Sequence, residues 1–329
     1  MTSFNQRMAD ISASARKLEE AASIGWIARS KALRWNAEIM EEHRAPQRAI
    51  DVVKSLSTDS LAEAGATTAV LAFLELAATS SAYLRMLTDR SFQRAPINTP
   101  LLFATTEPIA HQHVEGQIIP VSDFEMDSVR LQPESVGAII VANKEAWRRL
   151  DAPGQAYVTA LVRNAIAKAA DLRMFEILDA TNPQEFIADV TGEEGAVAGL
   201  QQALGALFTK AGQRLRWVLS PTAAAILAPY SAGGRLAVGP NGGTIFDMPA
   251  MLTDALGENE IALIAASDIA ADAVDLGIFG SQSATLQMPD GSLMSMFQHN
   301  MVAVRAVLSF AMQPAAENVM AKLTLTVTP

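Results

Sequence analysis

Cysteine is absent from all 329 residues, and its absence removes disulfides, thiolate metal sites and cysteine nucleophiles together. Histidine occurs four times and aromatic residues make up 6% of the chain, so imidazole chemistry and dense aromatic packing are both scarce. A basic surplus is missing as well. Lys and Arg number 25 against 35 Asp and Glu, a net charge of −10. That balance argues against broad phosphate neutralisation, although it permits a wall that faces nucleic acid without gripping it. No run of eighteen apolar residues occurs, so no membrane span is expected. The start, MTSFNQRMADISASARKLEE, alternates polar and apolar residues and lacks the apolar core of a secretion signal, while the lack of cysteine fits a cytoplasmic birth.

Catalytic signatures are missing too. The chain has no G-x-G-x-x-G, no phosphate loop ending in Gly-Lys-Ser/Thr, no H-E-x-x-H and no G-x-S-x-G. Gly239-Pro240-Asn241-Gly242-Gly243 has the glycine content of a phosphate cradle but lacks a following lysine and a helix start, so it reads as a flexible loop. His111 and His113 could share one face of an extended segment. Their only imidazole partners, His43 and His299, lie far away in sequence, and the pair reads as loop surface. Asp268, Asp272 and Asp275 read as a solvated edge because no acid–base partner accompanies them. The expectation is a protein that is not an enzyme, with no catalytic residues, no metal and no cofactor.

What is present begins with a long helical signal from Asp151 to Asn182. Asp151 can cap the first free N–H groups, Pro153 suits the first turn, and Asn182 before Pro183 stops the helix. Tyr157, Leu161, Ala165, Leu172, Phe175 and Leu178 recur at helical spacing and predict an apolar stripe; Val158, Val162, Ile166 and Ile177 widen it, leaving Arg163, Lys168, Asp171 and Glu176 for the wetter side. The rod would be roughly 40 Å long at about 1.5 Å per residue.

Earlier, Phe4, Met8, Ile11, Ala15, Leu18, Ala22, Trp26, Leu33, Ala37 and Met40 keep to one amphipathic face. They predict a helical unit, ended by Ala45-Pro46, that packs on its own domain or on a neighbour. A second helical region covers 59–88. From Pro96 to Val141 the period shifts to that of strands, and Pro108, Gly116, Pro120 and Pro133 are too many for a central sheet. This stretch predicts a long projecting hairpin. Asn143 caps a short helix, KEAWRRL.

After Pro183, Thr191 and Glu194 have capping-box spacing before GAVAGLQQALGALF. RLRWVLS reads as a buried strand and PTAAAILAPY as a proline-opened helix. SAGGRLAVGPNGGTIFDMP reads as a glycine-rich loop region, and IALIAASDI and DLGIFGSQSATLQM as strands. Pro289-Asp290-Gly291 marks a turn before SLMSMFQ and NMVAVRAVLSFAMQ.

The order of these pieces carries a resemblance. A hairpin containing VEGQIIPVSDFEMDSVRLQPESVGAIIVANKEAW, then the long helix, then WVLSPTAAAIL, then the closing FQHNMVAVRAVLSFAMQPAAENVMAKLT resembles the major capsid (coat) proteins of tailed bacteriophages. Their Hong Kong 97-type fold is shared by encapsulin shells, and the resemblance covers roughly residues 65–325. It implies an α+β fold with a long spine helix, peripheral and axial domains, an extended hairpin loop and an N-terminal arm. On this chain the parts would be an arm or scaffold-like segment at 1–58 and a peripheral domain at 59–95, 143–190 and 301–329. The hairpin loop would be 96–142 and the axial domain 191–300.

The resemblance further implies a homo-oligomeric shell of pentamers and hexamers, with portal and scaffold proteins as possible partners. Such a shell encloses double-stranded DNA without sequence-specific binding, makes no use of a membrane, is assembled in the host bacterial cytoplasm and resides in the virion. Contact residues would be Gln117, Ile118, Ile119 and Pro120 at the hairpin tip and Ile11, Leu18, Trp26 and Leu33 on the arm. Some family members crosslink through a hairpin lysine. Here Ile118-Ile119-Pro120 stands in its place and no lysine occurs between Lys54 and Lys144, so the expected shell is non-covalent. Two other readings stay open on sequence alone: an encapsulin-like compartment around a cargo enzyme, and an α+β enzyme whose site is not visible.

Overall fold

Two β-sheets meet against one long helix. The computed structural model describes residues 25–55, 77–95, 100–104, 126–190, 192–210, 212–233, 235–288 and 290–326. In chain order the first helices are α1 (25–33), α2 (Ala37–Glu42), α3 (Gln47–Ser55) and α4 (Ala82–Thr88). Strands β1 (Gln93–Arg94), β2 (Pro100–Ala104), β3 (Met126–Arg130) and β4 (Glu134–Asn143) follow, then α5 (Lys144–Arg149) and α6 (Ala152–Asp179). Next come β5 (Gln184–Asp189), α7 (Glu193–Leu207), β6 (Leu215–Leu219) and α8 (Pro221–Leu227). A meander of β7 (Leu236–Gly239), β8 (Gly242–Ile245) and β9 (Met248–Leu252) leads to β10 (Glu260–Ala265) and β11 (Ile269–Ser281). The chain closes with β12 (Thr285–Gln287), β13 (Leu293–Ser295), β14 (Met301–Pro314) and β15 (Met320–Thr326).

Local chemistry accounts for the helix ends. Asp151 accepts from Gly154 N at 2.9 Å and a proline follows in the first turn of α6. Asn143 caps α5 by accepting from Glu145 N, and Ser220 caps α8 by accepting from Ala223 N. The capping box at the start of α7 does not form. Gly192 takes the cap position in an extended conformation with no side-chain hydrogen bond, and Glu194 lies inside the first turn. At the far end of α6, Asn182 adopts φ 55° and turns the chain into β5. The single helical unit expected over 4–40 is interrupted: Arg34 has φ 55°, in the left-handed region, and Asn36 opens a new helix by accepting from Ile39 N.

One sheet has the order β1-β11-β14-β4 and the other the order β5-β15-β10-β6-β9-β8-β7. This pairing cuts across the partition expected from sequence. β11 at 269–281 runs antiparallel to β14 at 301–314, and β15 lies between β5 and β10 in the larger sheet. The expected hairpin falls only in part among the described residues, because 96–99 and 105–125 lie outside them. Among the described residues its two-stranded part is β2 against β3, with Pro100 opposite Arg130 and Ala104 opposite Met126. The segment 134–143 instead joins the body, because its even-numbered residues Val136, Ala138 and Ile140 pack on the core between the sheet and α6. The glycine-rich 231–249 region is likewise a meander of short strands. Two-residue turns join them, with positive φ at Gly242, Phe246 and Asp247.

The long helix presents the widened side of its expected apolar stripe to the core. Val162, Ile166, Ala170, Met174 and Leu178, each four residues on from the last, face the core. Of the expected stripe, Phe175 and Leu178 are buried, whereas Tyr157 is 66% exposed, Leu161 41% and Leu172 42%. Both rows advance four residues at a time and lie side by side on a helix that is apolar over more than half its girth. Spacing alone cannot choose between them. Small Ala170 and polar Asp171 mark the side where α4 and the Thr253 turn come close.

Candidate inter-subunit surfaces

Asp171, expected on the wet side of the helix, is fully buried. It accepts from Ser81 Oγ at 2.6 Å, Ala82 N at 2.9 Å, Tyr83 N at 3.0 Å and Thr253 Oγ1 at 2.6 Å. Both hydroxyls are committed as donors, because Ser81 Oγ accepts from Leu84 N and Thr253 Oγ1 from Ala255 N. Burial raises the carboxyl's pKa, and the four donated bonds work against that rise. Tyr83 continues the link: its hydroxyl donates to the carbonyls of Asp272 on β11 and Ala311 on β14. Burial raises the pKa of this phenol, with the charge of Asp272 adding to the effect. One short helix is thereby fastened to α6, to the end of β9 and to the smaller sheet, which makes a stiff frame for the surfaces described next.

The N-terminal helices form a small unit with its own core of Ile27, Met40, Ala45, Ala49 and Ile50. Trp26 packs against this core, and Leu33 packs against Trp147, Val302 and Val304 of the body. Both residues pack within the chain and stay only partly buried. Ile11 and Leu18 lie outside the described residues. Arg29 fixes the unit from within: its guanidinium sits 5.5 Å from the Trp26 ring and 4.7 Å from the Trp35 ring and donates to Arg148 O at 2.8 Å. Desolvation lowers its pKa. Trp35 stacks in turn on His43, with ring centres 4.4 Å apart. Sequence periodicity marked Trp26 and Leu33 as apolar, but nothing in it identified Arg29 as their cationic centre.

Three exposed apolar surfaces remain. On α6 it is the Tyr157, Leu161 and Leu172 row. On edge strand β5 it is Ile187, 74% exposed between Glu185 and Asp189. The third spans the smaller sheet and its adjoining hairpin, where Ile139, Phe279, Leu293 and Phe297 are all more than half exposed.

The hairpin-tip residues Gln117, Ile118, Ile119 and Pro120 lie outside the described residues, as do His111 and His113. Gly239 to Gly243 is a tight turn between β7 and β8, with Gly239 paired to Gly242 and no helix start behind it. Asp268 accepts from Gln213 Nε2 and Asp272 pairs with Arg94 at 3.3 Å, so these two acids are spent on structure. Among the described residues no group of three or more His, Asp or Glu side chains is placed to hold a metal ion. Among the same residues no helix is long and apolar enough to cross a membrane.

No protein-family model matches the chain. A curated relative is the capsid polyprotein of Pseudomonas phage PAJU2, 26% identical over 247 residues, which covers 66% of this chain. The match spans 37% of that relative's length. Among solved structures, a chain of Gordonia phage Cozz superposes with a TM-score of 0.52 at 12% identity, covering 74% of this chain and 87% of that one. A chain of Mycobacterium phage Adephagia gives 0.50 at 17% identity, covering 73% and 90%. The α+β architecture described above is thus one found in phage structures, and the resemblance to the tailed-phage coat family stands on both sequence and fold.

Proposed function

We propose that this chain is a shell-forming capsid protein of a tailed phage or prophage. The observation that carries the reading is the 247-residue likeness to a phage capsid polyprotein. Two physical features support it. Exposed apolar side chains stand on α6, β5 and the smaller sheet, and heterologous contacts in a closed shell would cover them. The Asp171 frame holds the elements that bear those surfaces in fixed relation, which a repeated lattice contact requires.

In this reading copies assemble as pentamers and hexamers into an icosahedral head around packaged DNA, in the host cytoplasm, with portal and scaffold proteins as partners. The net charge of −10 suits a wall that encloses nucleic acid without gripping it. The spine helix, the two larger sheets and the hairpin that carries β2 and β3 serve as the peripheral, axial and extended parts of the subunit. Gln117, Ile118, Ile119 and Pro120 reach an adjoining copy, as do Ile11 and Leu18 from the N-terminal segment. The shell is held without covalent crosslinks.

Electron microscopy of the purified full-length chain tests the reading. Rings or closed shells are expected, and nuclease-resistant DNA inside particles recovered from an induced lysogen separates a phage head from a cargo compartment. A clean monomer at tens of micromolar in physiological salt, with no particles on raising concentration or salt, overturns it.

A further inference from the structure

The smaller sheet turns one face to α6 and the other outward. On the outward face Ile139, Arg305 and Phe279 stand side by side in register on β4, β14 and β11. Ile139 is 52% and Phe279 53% exposed. The Arg305 guanidinium lies 5.0 Å from the centre of the Phe279 ring, and among the described residues no carboxylate pairs with it. Together with Gly280, Ser281, Ala284, Leu286 and Ala303 the three residues line a shallow groove that is mostly apolar, with Arg305 its one charged side chain and Ser281 its one hydroxyl.

Next to the groove rises the β12–β13 hairpin, which supplies Leu286 to the groove wall. Beyond Leu286 the hairpin presents a carboxylate and then an apolar knob. Asp290 accepts from Ser292 N and Ser292 Oγ, which fixes the turn, and Leu293 stands 74% exposed. The chain therefore carries a concave surface of apolar–cation–apolar pattern and, one hairpin length away, a convex tip that pairs an acid with a leucine. Aromatic rings and arginine are the side chains that contact cores favour, and opposite charges fix which surfaces meet.

We propose that the groove seats the β12–β13 tip of a second copy of this chain, with Leu293 on the floor between Ile139 and Phe279 and Asp290 against Arg305. The contact is heterologous, since tip and groove are different surfaces. Repeated from copy to copy, such a contact builds a ring where the rotation between neighbours closes and an open helix where it does not. This assignment rests on the shell reading, and it adds the residues and the pairing sense of one contact within the shell.

Charge reversal and cysteine trapping test it in the full-length chain. Arg305→Glu and Asp290→Arg should each weaken self-association on the order of tenfold or more, read by sedimentation velocity. The double variant, with the charges exchanged, should regain most of that loss. Both positions are at the surface, and an unchanged thermal midpoint checks that each subunit still folds. Because the chain has no native cysteine, a Ser281→Cys/Ser292→Cys variant reports the contact directly. Oxidation should give intermolecular multimers on a non-reducing gel, while each single variant stops at dimers. If the wild type forms shells but the reversed variants assemble unchanged and no multimers appear, this contact is wrong and the shell reading stands. If the wild type forms neither rings nor shells and traps no multimers, both fall.

Discussion

The carboxylate of Asp171 and the hydroxyl of Ser81, 90 residues apart in the chain, are joined by a 2.6 Å hydrogen bond in a site closed to solvent. The same carboxylate holds the first two N–H groups of α4 and the hydroxyl of Thr253. A long helix, a short one and a strand end are thereby fixed to one side chain. Every partner donates, so the site is built for an acceptor-only group.

Asp171→Ala should strand the Ala82 and Tyr83 N–H groups and cost about 2–4 kcal/mol of subunit stability. Asp171→Asn keeps the size but turns an NH2 group towards donors, so it should recover less than half of that loss. Thermal or denaturant melting of the unassembled subunit gives both values. An Asn variant as stable as the wild type would show that the four contacts are not all donated to the carboxylate.

A second link answers to pH. Arg173 on α6 grips Glu134 of β4 through two bonds, Nε to Oε2 at 2.5 Å and Nη2 to Oε1 at 2.8 Å, and reaches Glu176 at 2.7 Å. The hydrogen bonds from Arg173 lower the Glu134 pKa. A carboxylate whose pKa falls on folding stabilises fully above its unfolded pKa, roughly 4.3, and loses that contribution as pH drops through the lowered value. Since both groups are partly solvated, the pair contributes under about 1 kcal/mol. Glu134→Gln should remove that much at pH 7 and flatten the acid limb of the stability curve below about pH 4. An acid limb identical to the wild type's would assign the acid sensitivity to other carboxylates.

Much of this architecture was legible in the chain. Asp151, Asn143 and Ser220 stand where their caps form, and the strands around Trp217, Ile264 and Val304 read correctly from apolar runs. Three features escaped for physical reasons. The rotation of α6 depends on which of two adjacent apolar rows meets the sheet, and a helix apolar over most of its girth does not encode that choice by period. The strands at 236–252 are four or five residues long and interrupted by glycines needed for their turns, so their composition reads as loop. The partnership of β4 with β14 is a long-range pairing that no local pattern reports. The exposed groove at Ile139, Arg305 and Phe279 was hidden for the same reason, since its residues come from three strands.

The N-terminal unit should be detachable at one atom. A Cβ at Gly280 would lie 2.5 Å from the Lys31 carbonyl carbon and oxygen, too close for backbone to yield cheaply. Gly280→Ala should therefore lift α1 from β11, cost about 1–3 kcal/mol, and speed proteolysis within residues 25–55. Gly277→Ala is the control. Its Cβ would meet only the Phe279 ring, at 2.7 Å, and that ring lies on the exposed face and can swing aside. Equal proteolysis of the two variants would show that the close approach at Gly280 does not hold the unit in place.

The last expectation concerns a bond that should not form. Isopeptide crosslinking needs a lysine amine, deprotonated in an apolar setting, that attacks a side-chain amide or acid on a neighbour. Between Lys54 and Lys144 the chain offers no lysine. Lys144 itself is tied to Gln282 Oε1 at 3.3 Å, and Lys322 is paired with Asp179 at 2.6 Å. The expected hairpin tip reads Gly116-Gln117-Ile118-Ile119, and each isoleucine can contribute on the order of 1.5–3 kcal/mol if a neighbour covers it fully. Repeated over a shell such contacts hold firmly, yet detergent and heat undo them. Particles boiled in detergent should run as one band near 35.0 kDa. Replacing Ile118 and Ile119 together with serine should lower particle stability to heat or denaturant while leaving the isolated subunit's melting unchanged. A ladder of covalent multimers from the wild type would point to Lys144 or Lys168 as a nucleophile, and unchanged particles from the double serine variant would mean that the tip is not buried on a neighbour.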